Sequence, residues 1–183
     1  MRDPFAPPEP RDVLEIDWPL FGELCRGLAL KIAREYDPEL VLGIAKAGVV
    51  PGAVVASILG RDFAAMSITR TSKLARPTLI AGPPPSVRGR RVLVVDETCD
   101  SGDTLKVALA AVRRLAPAEV RTAVSIRTGA YQPHFHALQT ASFIILPWDR
   151  EVVIDGELQV RPEYAERLGL PGDDAGEGDD FEE

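Results

Sequence analysis

Apolar residues recur along the chain in two spacings, which predict alternating helices and strands. The first helix is predicted over residues 17–36, where apolar side chains return at helical spacing: Leu20, Phe21, Leu24, Leu28, Ile32 and Ala33. A continuous apolar run predicts a strand buried on both faces over residues 92–95, and residues 39–45 predict another buried strand. Further strands are predicted over residues 63–68, 119–126 and 142–146. Further helices are predicted after Pro51 and from Leu105. This alternation predicts an α/β fold with an open, mainly parallel sheet flanked by helices.

Three segments interrupt this pattern. Residues 70–90 are rich in proline, glycine and basic residues, so we expect a long loop there that is functional or mobile. Residues 1–12 are rich in proline and predict a loose arm. Residues 171–183 contain seven acids and no base, with too little apolar surface to fold, and predict a disordered acidic tail. The predicted domain therefore spans residues 13–170.

The segment from Arg91 to Leu105 combines an apolar strand, two acids, a polar turn and a helix. The turn gathers free backbone N–H groups at a helix N-terminus, and Ser101 and Thr104 add hydroxyl groups, so that it can bind a phosphate. Asp96 and Glu97 follow the apolar run, at the carboxyl edge where open α/β sheets bind their ligands. We therefore expect one crevice that offers a phosphate site and two carboxylates for a sugar diol or a metal.

This segment resembles the phosphoribosyl-pyrophosphate signature of the type I phosphoribosyltransferases, in which a hydrophobic strand and two acids precede Asp-Thr/Ser-Gly-x-Thr. Glu97 departs from the pattern, because the second acid is usually Asp. The resemblance covers residues 38–150 in order. It implies the Rossmann-like fold of that family with a hood or loop region. It also implies transfer of a phosphoribosyl group from phosphoribosyl pyrophosphate to a nitrogenous base, with Mg²⁺ as cofactor and release of pyrophosphate.

The resemblance implies a donor site built from the acid pair and the turn that follows it. Asp96 and Glu97 would hold the ribose hydroxyls and contact the region of the Mg²⁺ ion, directly or through water. Asp100 is the candidate general base, or orienting acceptor, for the incoming base. The 5′-phosphate would bind along the turn, whose candidate residues are Thr98, Cys99, Asp100, Ser101, Gly102, Asp103 and Thr104.

Residues 43–52 resemble the loop that grips the pyrophosphate in this family. Small residues let backbone N–H groups approach the ligand, and a cation stabilises the developing phosphate charge. Lys46 matches the cationic, catalytic position, and we expect the Ala45–Lys46 peptide bond to be cis. Taken alone, a lysine in a turn is usually a solvated charge. The candidates for pyrophosphate are Lys46, Ala47 and Gly48, helped by Arg70 or Lys73 from a closing loop.

Residues 143–149 resemble the base-binding segment of the xanthine–guanine branch, which favours a purine acceptor. Phe143 takes the position of an aromatic residue that stacks on the purine. Arg127 falls where that branch has a lysine that donates to a 6-oxo group, which favours 6-oxopurines. The alternatives are a core role for Phe143 and a surface charge for Arg127. Trp148 is interpreted as packing.

Composition narrows the class of protein. The chain has 183 residues, of which 45% are hydrophobic and 27% charged, as in ordinary globular proteins. Apolar runs are far shorter than the ~20 residues that span a membrane, and residues 1–10 contain no apolar signal core. With only two cysteines, a reducing, cytoplasmic compartment is expected. Cys25 and Cys99 make no disulfide framework, and Cys99 is interpreted as a bystander thiol. His134 and His136 are placed in a loop without a role.

The net charge of −7 comes from the acidic tail and not from the predicted domain. Seven of the 28 acids lie in the tail, which leaves 21 acids against 21 bases elsewhere. The sequence shows no basic segment that would suggest binding of nucleic acid.

Two alternatives to a purine transferase remain. One is a non-catalytic regulator of the same fold that senses phosphoribosyl pyrophosphate or a nucleotide, and the other is a transferase for a pyrimidine base. A homodimer and a role in purine salvage are expected from the family alone.

Overall fold

The computed structural model of the protein describes residues 12–70 and 75–170. It divides into two compact units: a larger unit of residues 19–141, and a smaller unit made of the chain segments on either side. The acidic tail and all of the predicted arm except Asp12 lie outside the described residues. Within the described ranges, no helix is long and apolar enough to cross a membrane.

Ten strands and four helices make up the described secondary structure. The strands are β1 Val13–Glu15, β2 Leu40–Ala45, β3 Asp62–Thr69, β4 Thr78–Ala81, β5 Arg91–Cys99, β6 Glu119–Arg127, β7 Phe135–Gln139, β8 Phe143–Ile145, β9 Glu151–Ile154 and β10 Glu157–Val160. The helices are α1 Trp18–Glu35, α2 Val49–Leu59, α3 Asp103–Arg113 and α4 Pro162–Ala165, with 3₁₀ turns at Pro85–Val87 and Glu166–Leu168.

The larger unit is built on a six-stranded sheet with the order β4-β3-β2-β5-β6-β7. Every neighbouring pair is parallel except β3 and β4, which are antiparallel. The prediction of a mainly parallel α/β sheet is therefore confirmed. Parallel neighbours need crossover connections, and α2 and α3 supply them after β2 and β5.

Cores on both faces of this sheet explain the continuous apolar runs. Leu42 of β2 and Val94 of β5 belong to one buried cluster with Leu105 of α3. Val41 and Leu93, which precede them by one residue, belong to a second cluster with side chains of α1. Because successive side chains of a strand point to opposite faces, a strand covered on both sides must be apolar throughout.

The smaller unit consists of short elements. β1 pairs in parallel with β8, and β9 and β10 form an antiparallel hairpin. The rings of Trp18 and Trp148 lie 5.7 Å apart, in agreement with the packing role predicted for Trp148. No pattern in the sequence predicted β1, the hairpin or α4, because runs of three or four residues are too short to show a period.

Three predictions about local structure were wrong. Residues 70–90 contain β4, an edge strand whose four exposed residues show no burial pattern. The stretch around His134 and His136 leads into β7, where Thr122 donates its backbone N–H to His134 Nδ1 at 3.1 Å. The acid pair was expected after the strand, but β5 continues through it as far as Cys99. Asp96 therefore lies within the strand and pairs with Val124.

Candidate functional site

The carboxyl ends of two central strands bring the two predicted loops to the same edge of the sheet. β2 and β5 are parallel neighbours, and Gly43 pairs with Val95. The turn after β2 therefore lies beside the turn after β5, which leads into α3. Neighbouring βα turns at the carboxyl edge are where α/β sheets bind ligands.

Asp96 is buried although it carries an ionisable group. Asp96 is only 6% exposed to solvent. Its Oδ1 accepts a hydrogen bond from the backbone N–H of Glu97 at 3.1 Å. Burial raises the pKa of Asp96 well above its ordinary value, and the adjacent Glu97 carboxylate raises it further, while attraction to Arg70 opposes both. A ligand that brings cations or hydroxyl donors would favour the ionised form.

The β2–α2 turn lies directly on Asp96. A Cβ atom placed on Gly48 would be 2.7 Å from Asp96 Oδ1 and 2.7 Å from the carbonyl oxygen of Ile44, so only glycine fits there. The Ala45–Lys46 peptide bond is cis, which confirms the prediction. Lys46 is exposed, and its ammonium makes no ion pair with any described residue.

The turn between β5 and α3, where the phosphate site is predicted, is held by hydrogen bonds among its own side chains and backbone. Gly102 has φ 75°, in the left-handed region, and α3 begins directly after it. Ser101 Oγ donates to Asp103 Oδ2 at 2.8 Å, and Lys106 Nζ donates to the Ser101 carbonyl at 3.1 Å. Lys106 Nζ also donates to Asp103 Oδ1 at 2.9 Å. The hydrogen bonds that Asp103 accepts from Lys106 and Ser101 lower the pKa of its carboxyl group.

Arg70, which directly follows β3, contacts this turn. Its Nη2 donates to Thr104 Oγ1 at 3.2 Å, and its charge attracts Asp96. The structure therefore brings Arg70 together with two of the predicted site residues. Lys73, the other basic candidate of this loop, lies outside the described residues.

A second turn, residues 128–131, packs against the phosphate turn and was missed by the sequence reasoning. The Tyr131 backbone N–H donates to the Asp100 carbonyl at 3.3 Å, and a Cβ on Gly102 would overlap the Tyr131 ring. A Cβ on Gly129 would overlap Asp100 Oδ1. The available signal was that this turn follows β6, the next parallel strand, at the same edge of the sheet.

Cys99 is the last residue of β5, directly before the phosphate turn. It is 4% exposed, and burial raises the pKa of its thiol to about 11, so that the thiolate is scarce at neutral pH. The bystander interpretation of Cys99 agrees with this burial.

Arg127 is largely engaged by the protein itself. The residue is 8% exposed, and its guanidinium donates to the carbonyl of Gly129 at 3.0 Å, to Gln139 Oε1 at 3.2 Å and to the carbonyl of Ala130 at 3.4 Å. These bonds hold the 128–131 turn in place. Its predicted contact with a base stays a prediction and would use the guanidinium N–H groups beyond these three.

Phe143 belongs to the smaller unit and is half-buried there. Its ring meets the ring of Tyr164 edge-on, with centroids 5.8 Å apart, and the guanidinium of Arg167 lies 4.3 Å from its centroid. Neither Tyr164 nor Arg167 was singled out from the sequence. The alternative interpretation of Phe143 as a core residue is only partly supported, because Phe143 is half-buried.

A family model for the phosphoribosyl transferase domain matches residues 15–154. The chain therefore belongs to the phosphoribosyl transferase domain family, in agreement with the resemblance noted in the sequence. Curated proteins contain no match to the chain.

Solved structures with a similar fold include three that cover most of the chain. The chain is similar to purine phosphoribosyltransferase from Pyrococcus horikoshii Ot3, with 26% identity, a TM-score of 0.69, and coverage of 80% of this chain and 99% of that one. A hypothetical protein from Neisseria gonorrhoeae with bound ppGpp shares 19% identity, with a TM-score of 0.67 and coverage of 87% and 96%. Helicobacter pylori xanthine-guanine-hypoxanthine phosphoribosyltransferase shares 15% identity, with a TM-score of 0.62 and coverage of 75% and 93%.

Proposed function

We propose that the protein transfers the 5-phosphoribosyl group from phosphoribosyl pyrophosphate to a purine base, with 6-oxopurines favoured, and releases pyrophosphate. The product is a nucleoside monophosphate, and the physiological role is purine salvage. The observation that carries this proposal is the buried Asp96 beside Glu97, with the Gly48 turn in contact with Asp96 and the Gly102 turn following in the chain before α3. Two carboxylates between two turns suit a ribose flanked by phosphates.

The donor is held by this chain's own groups in three places. Asp96 and Glu97 accept hydrogen bonds from the ribose 2′- and 3′-hydroxyls. The 5′-phosphate binds the N–H groups of the turn at residues 100–104, with the hydroxyls of Ser101 and Thr104. Lys46, with the small Ala47 and Gly48 beside it, stabilises charge on the pyrophosphate as it leaves.

A magnesium ion fits this arrangement as a partner of the substrate. Asp96 and Glu97 offer only oxygen ligands, which Mg²⁺ prefers, and Mg²⁺ is usually held by one or two carboxylates together with phosphate oxygens and water. Among residues 12–70 and 75–170, no group of three His, Cys, Asp or Glu side chains could hold a metal by itself. When bound, the ion would neutralise charge on the pyrophosphate.

The transfer breaks the bond from C1′ to the pyrophosphate oxygen and forms a bond from C1′ to a purine nitrogen. The electron pair of the broken bond leaves with pyrophosphate, and the purine loses the proton of its imidazole ring. Asp100 accepts that proton or orients the N–H that carries it. Phe143 supplies a stacking face for the base, and Arg127 donates to its 6-oxo group.

The proposal also covers the location, the oligomeric state and the partners of the protein. We infer a cytoplasmic homodimer, with no membrane or nucleic-acid partner. The balanced charge of the chain outside the acidic tail supports the absence of a nucleic-acid surface.

The test is pyrophosphate release with Mg²⁺, phosphoribosyl pyrophosphate and one of six bases: hypoxanthine, guanine, xanthine, adenine, uracil or orotate. We expect release with at least one 6-oxopurine and little with the pyrimidines. A reaction without base measures hydrolysis of the donor and serves as the background. A protein that binds the donor in titration calorimetry but releases no pyrophosphate with any base would be a regulator of the same fold. Release with uracil or orotate alone would identify a pyrimidine transferase.

A further inference from the structure

The stacking face of Phe143 is already in contact with a planar cation. The guanidinium of Arg167 lies over the ring, 4.3 Å from its centroid. A guanidinium at that distance takes up space over the ring that a flat base would need, and the cation and the aromatic face attract each other. Arg167 belongs to the 3₁₀ turn Glu166–Leu168, after the hairpin of the smaller unit.

The segment that carries Arg167 is anchored to the residue that ends the Pro147-Trp148-Asp149 run. Tyr164 Oη donates to Asp149 Oδ2 at 2.6 Å, and Arg161 Nε donates to the Asp149 carbonyl at 2.8 Å. A weaker ion pair joins Arg161 to Asp149 Oδ1 at 3.3 Å. These contacts fix α4 and the Tyr164 ring beside Phe143, with the two rings in a T-shaped arrangement.

Arg167 itself is exposed, in contrast to this anchored part. An exposed cation–π contact changes an equilibrium by only about 2–5-fold, so a ligand that stacks better can displace the guanidinium. Displacement leaves α4 and its bonds to Asp149 intact, because the side chain of Arg167 can turn into solvent by rotamer changes alone.

We propose that Arg167 occupies the face of Phe143 on which the purine stacks, so that the base and the guanidinium compete for one position. This inference rests on the proposed function, since it takes Phe143 as the stacking residue. Arg167 is then a determinant of base affinity that acts in the base-free protein. The donor subsite proposed above uses Asp96, Glu97, Lys46 and the turn at residues 100–104, so the KM for the donor serves as an internal control.

The experiment compares the full-length wild type with Arg167→Ala and Arg167→Gln. The glutamine variant keeps a polar side chain at the turn while it removes the cation. Arg150→Ala is the matched control, because it removes an arginine of the same unit that pairs with Glu15 and Glu151. We measure KM for hypoxanthine, KM for phosphoribosyl pyrophosphate, and Kd for inosine monophosphate by titration calorimetry.

We expect both Arg167 variants to lower KM for hypoxanthine and Kd for inosine monophosphate by about 2–5-fold, the strength of an exposed cation–π contact. KM for the donor should stay unchanged, and Arg150→Ala should behave as wild type. Unchanged values in an active wild-type background would overturn this inference and leave the proposed function standing. Weaker base binding in the variants would also overturn it, because Arg167 would then support the ring. A wild type that neither uses a base nor binds the nucleotide defeats the proposed function and this inference together.

Discussion

At the scale of single residues, the site depends on a carboxyl group that the protein buries next to another one. Asp96 and Glu97 are the proposed acceptors for the ribose hydroxyls. We expect Asp96→Asn combined with Glu97→Gln to weaken Mg²⁺–donor binding by at least tenfold, about 1.4 kcal/mol. Titration calorimetry with phosphoribosyl pyrophosphate measures this. Donor affinity equal to that of the wild type would remove the acid pair from the donor site.

The raised pKa of Asp96 also makes stability depend on pH. Because burial favours the protonated carboxyl in the folded protein, the unfolded chain releases this proton at lower pH than the folded one. The contribution of Asp96 to stability is therefore full below the ordinary carboxyl range and is lost as pH rises through the folded pKa. We expect Asp96→Asn to remove this loss, so that its melting temperature relative to wild type rises with pH.

The control for this pH series is Asp155→Asn, which removes an exposed carboxyl from the turn between β9 and β10. Its melting temperature should follow that of the wild type at every pH. A constant difference between Asp96→Asn and wild type across the series would contradict the raised pKa of the Asp96 carboxyl group.

Gly48 offers a residue-scale test of the contact between the two turns. An added methyl group would press on Asp96 Oδ1 and on the Ile44 carbonyl, so Gly48→Ala must shift the turn that carries Lys46. We expect a loss of about 1–3 kcal/mol in the free energy of unfolding, as in other overpacked sites, and at least a tenfold rise in KM for the donor.

Gly27→Ala is the matched control for Gly48→Ala. Gly27 lies within α1 and a Cβ there would meet nothing within 4 Å. Alanine in a helix should stabilise the protein by about 0.5–1 kcal/mol and leave KM unchanged. Equal kinetics in the two variants would show that the Gly48 contact does not shape the donor site.

At the scale of elements, the phosphate turn is held between α3 and the turn that follows β6. Gly102 combines a left-handed backbone with contact to the Tyr131 ring, whereas Gly60, at the end of α2, has φ 63° and open space. Gly60→Ala therefore measures the backbone effect alone, about 1–2 kcal/mol. We expect Gly102→Ala to cost about 1–3 kcal/mol more, and urea denaturation measures both. Equal losses would mean that the Tyr131 ring moves aside freely.

The same elements define what could be predicted from the sequence. The order strand, acid pair, turn and helix over residues 91–105 is local, so its apolar spacing and polar turn were visible in the chain. The contact of Tyr131 with Gly102 joins two segments across the sheet, and nothing in the local pattern of either segment indicates it. Strand β4 escaped prediction because an exposed edge strand has no buried face.

At the scale of the whole molecule, the acid pair Asp96 and Glu97 differs from other acids near the strand ends, such as Asp103, which pairs with Lys106 at 2.9 Å. At the amino ends of the strands, Asp37 pairs with Arg61 at 2.6 Å and with Arg91 at 2.9 Å. At the carboxyl edge, neither Asp96 nor Glu97 forms an ion pair with a described residue. Paired charges are satisfied within the fold, so the unpaired acids are the ones available to a ligand.

Base choice also belongs to this scale, because it decides which reaction the whole protein carries out. Phe143 of the smaller unit offers a stacking face that suits any purine. Arg127 of the larger unit carries only donors, which complement a 6-oxo group and oppose the 6-amino group of adenine. We therefore expect kcat/KM for hypoxanthine to exceed that for adenine by at least tenfold.

Arg127→Met tests whether this preference comes from the guanidinium. The change also removes the bonds to the carbonyls of Gly129 and Ala130, so a general fall in activity with both bases is expected. The ratio of kcat/KM for hypoxanthine to that for adenine separates the two effects, because a displaced turn lowers both values while a lost donor lowers only the first. We expect the ratio to fall toward one. Preference for adenine in the wild type, or a ratio unchanged by Arg127→Met, would leave Arg127 as a positioning residue that holds the 128–131 turn.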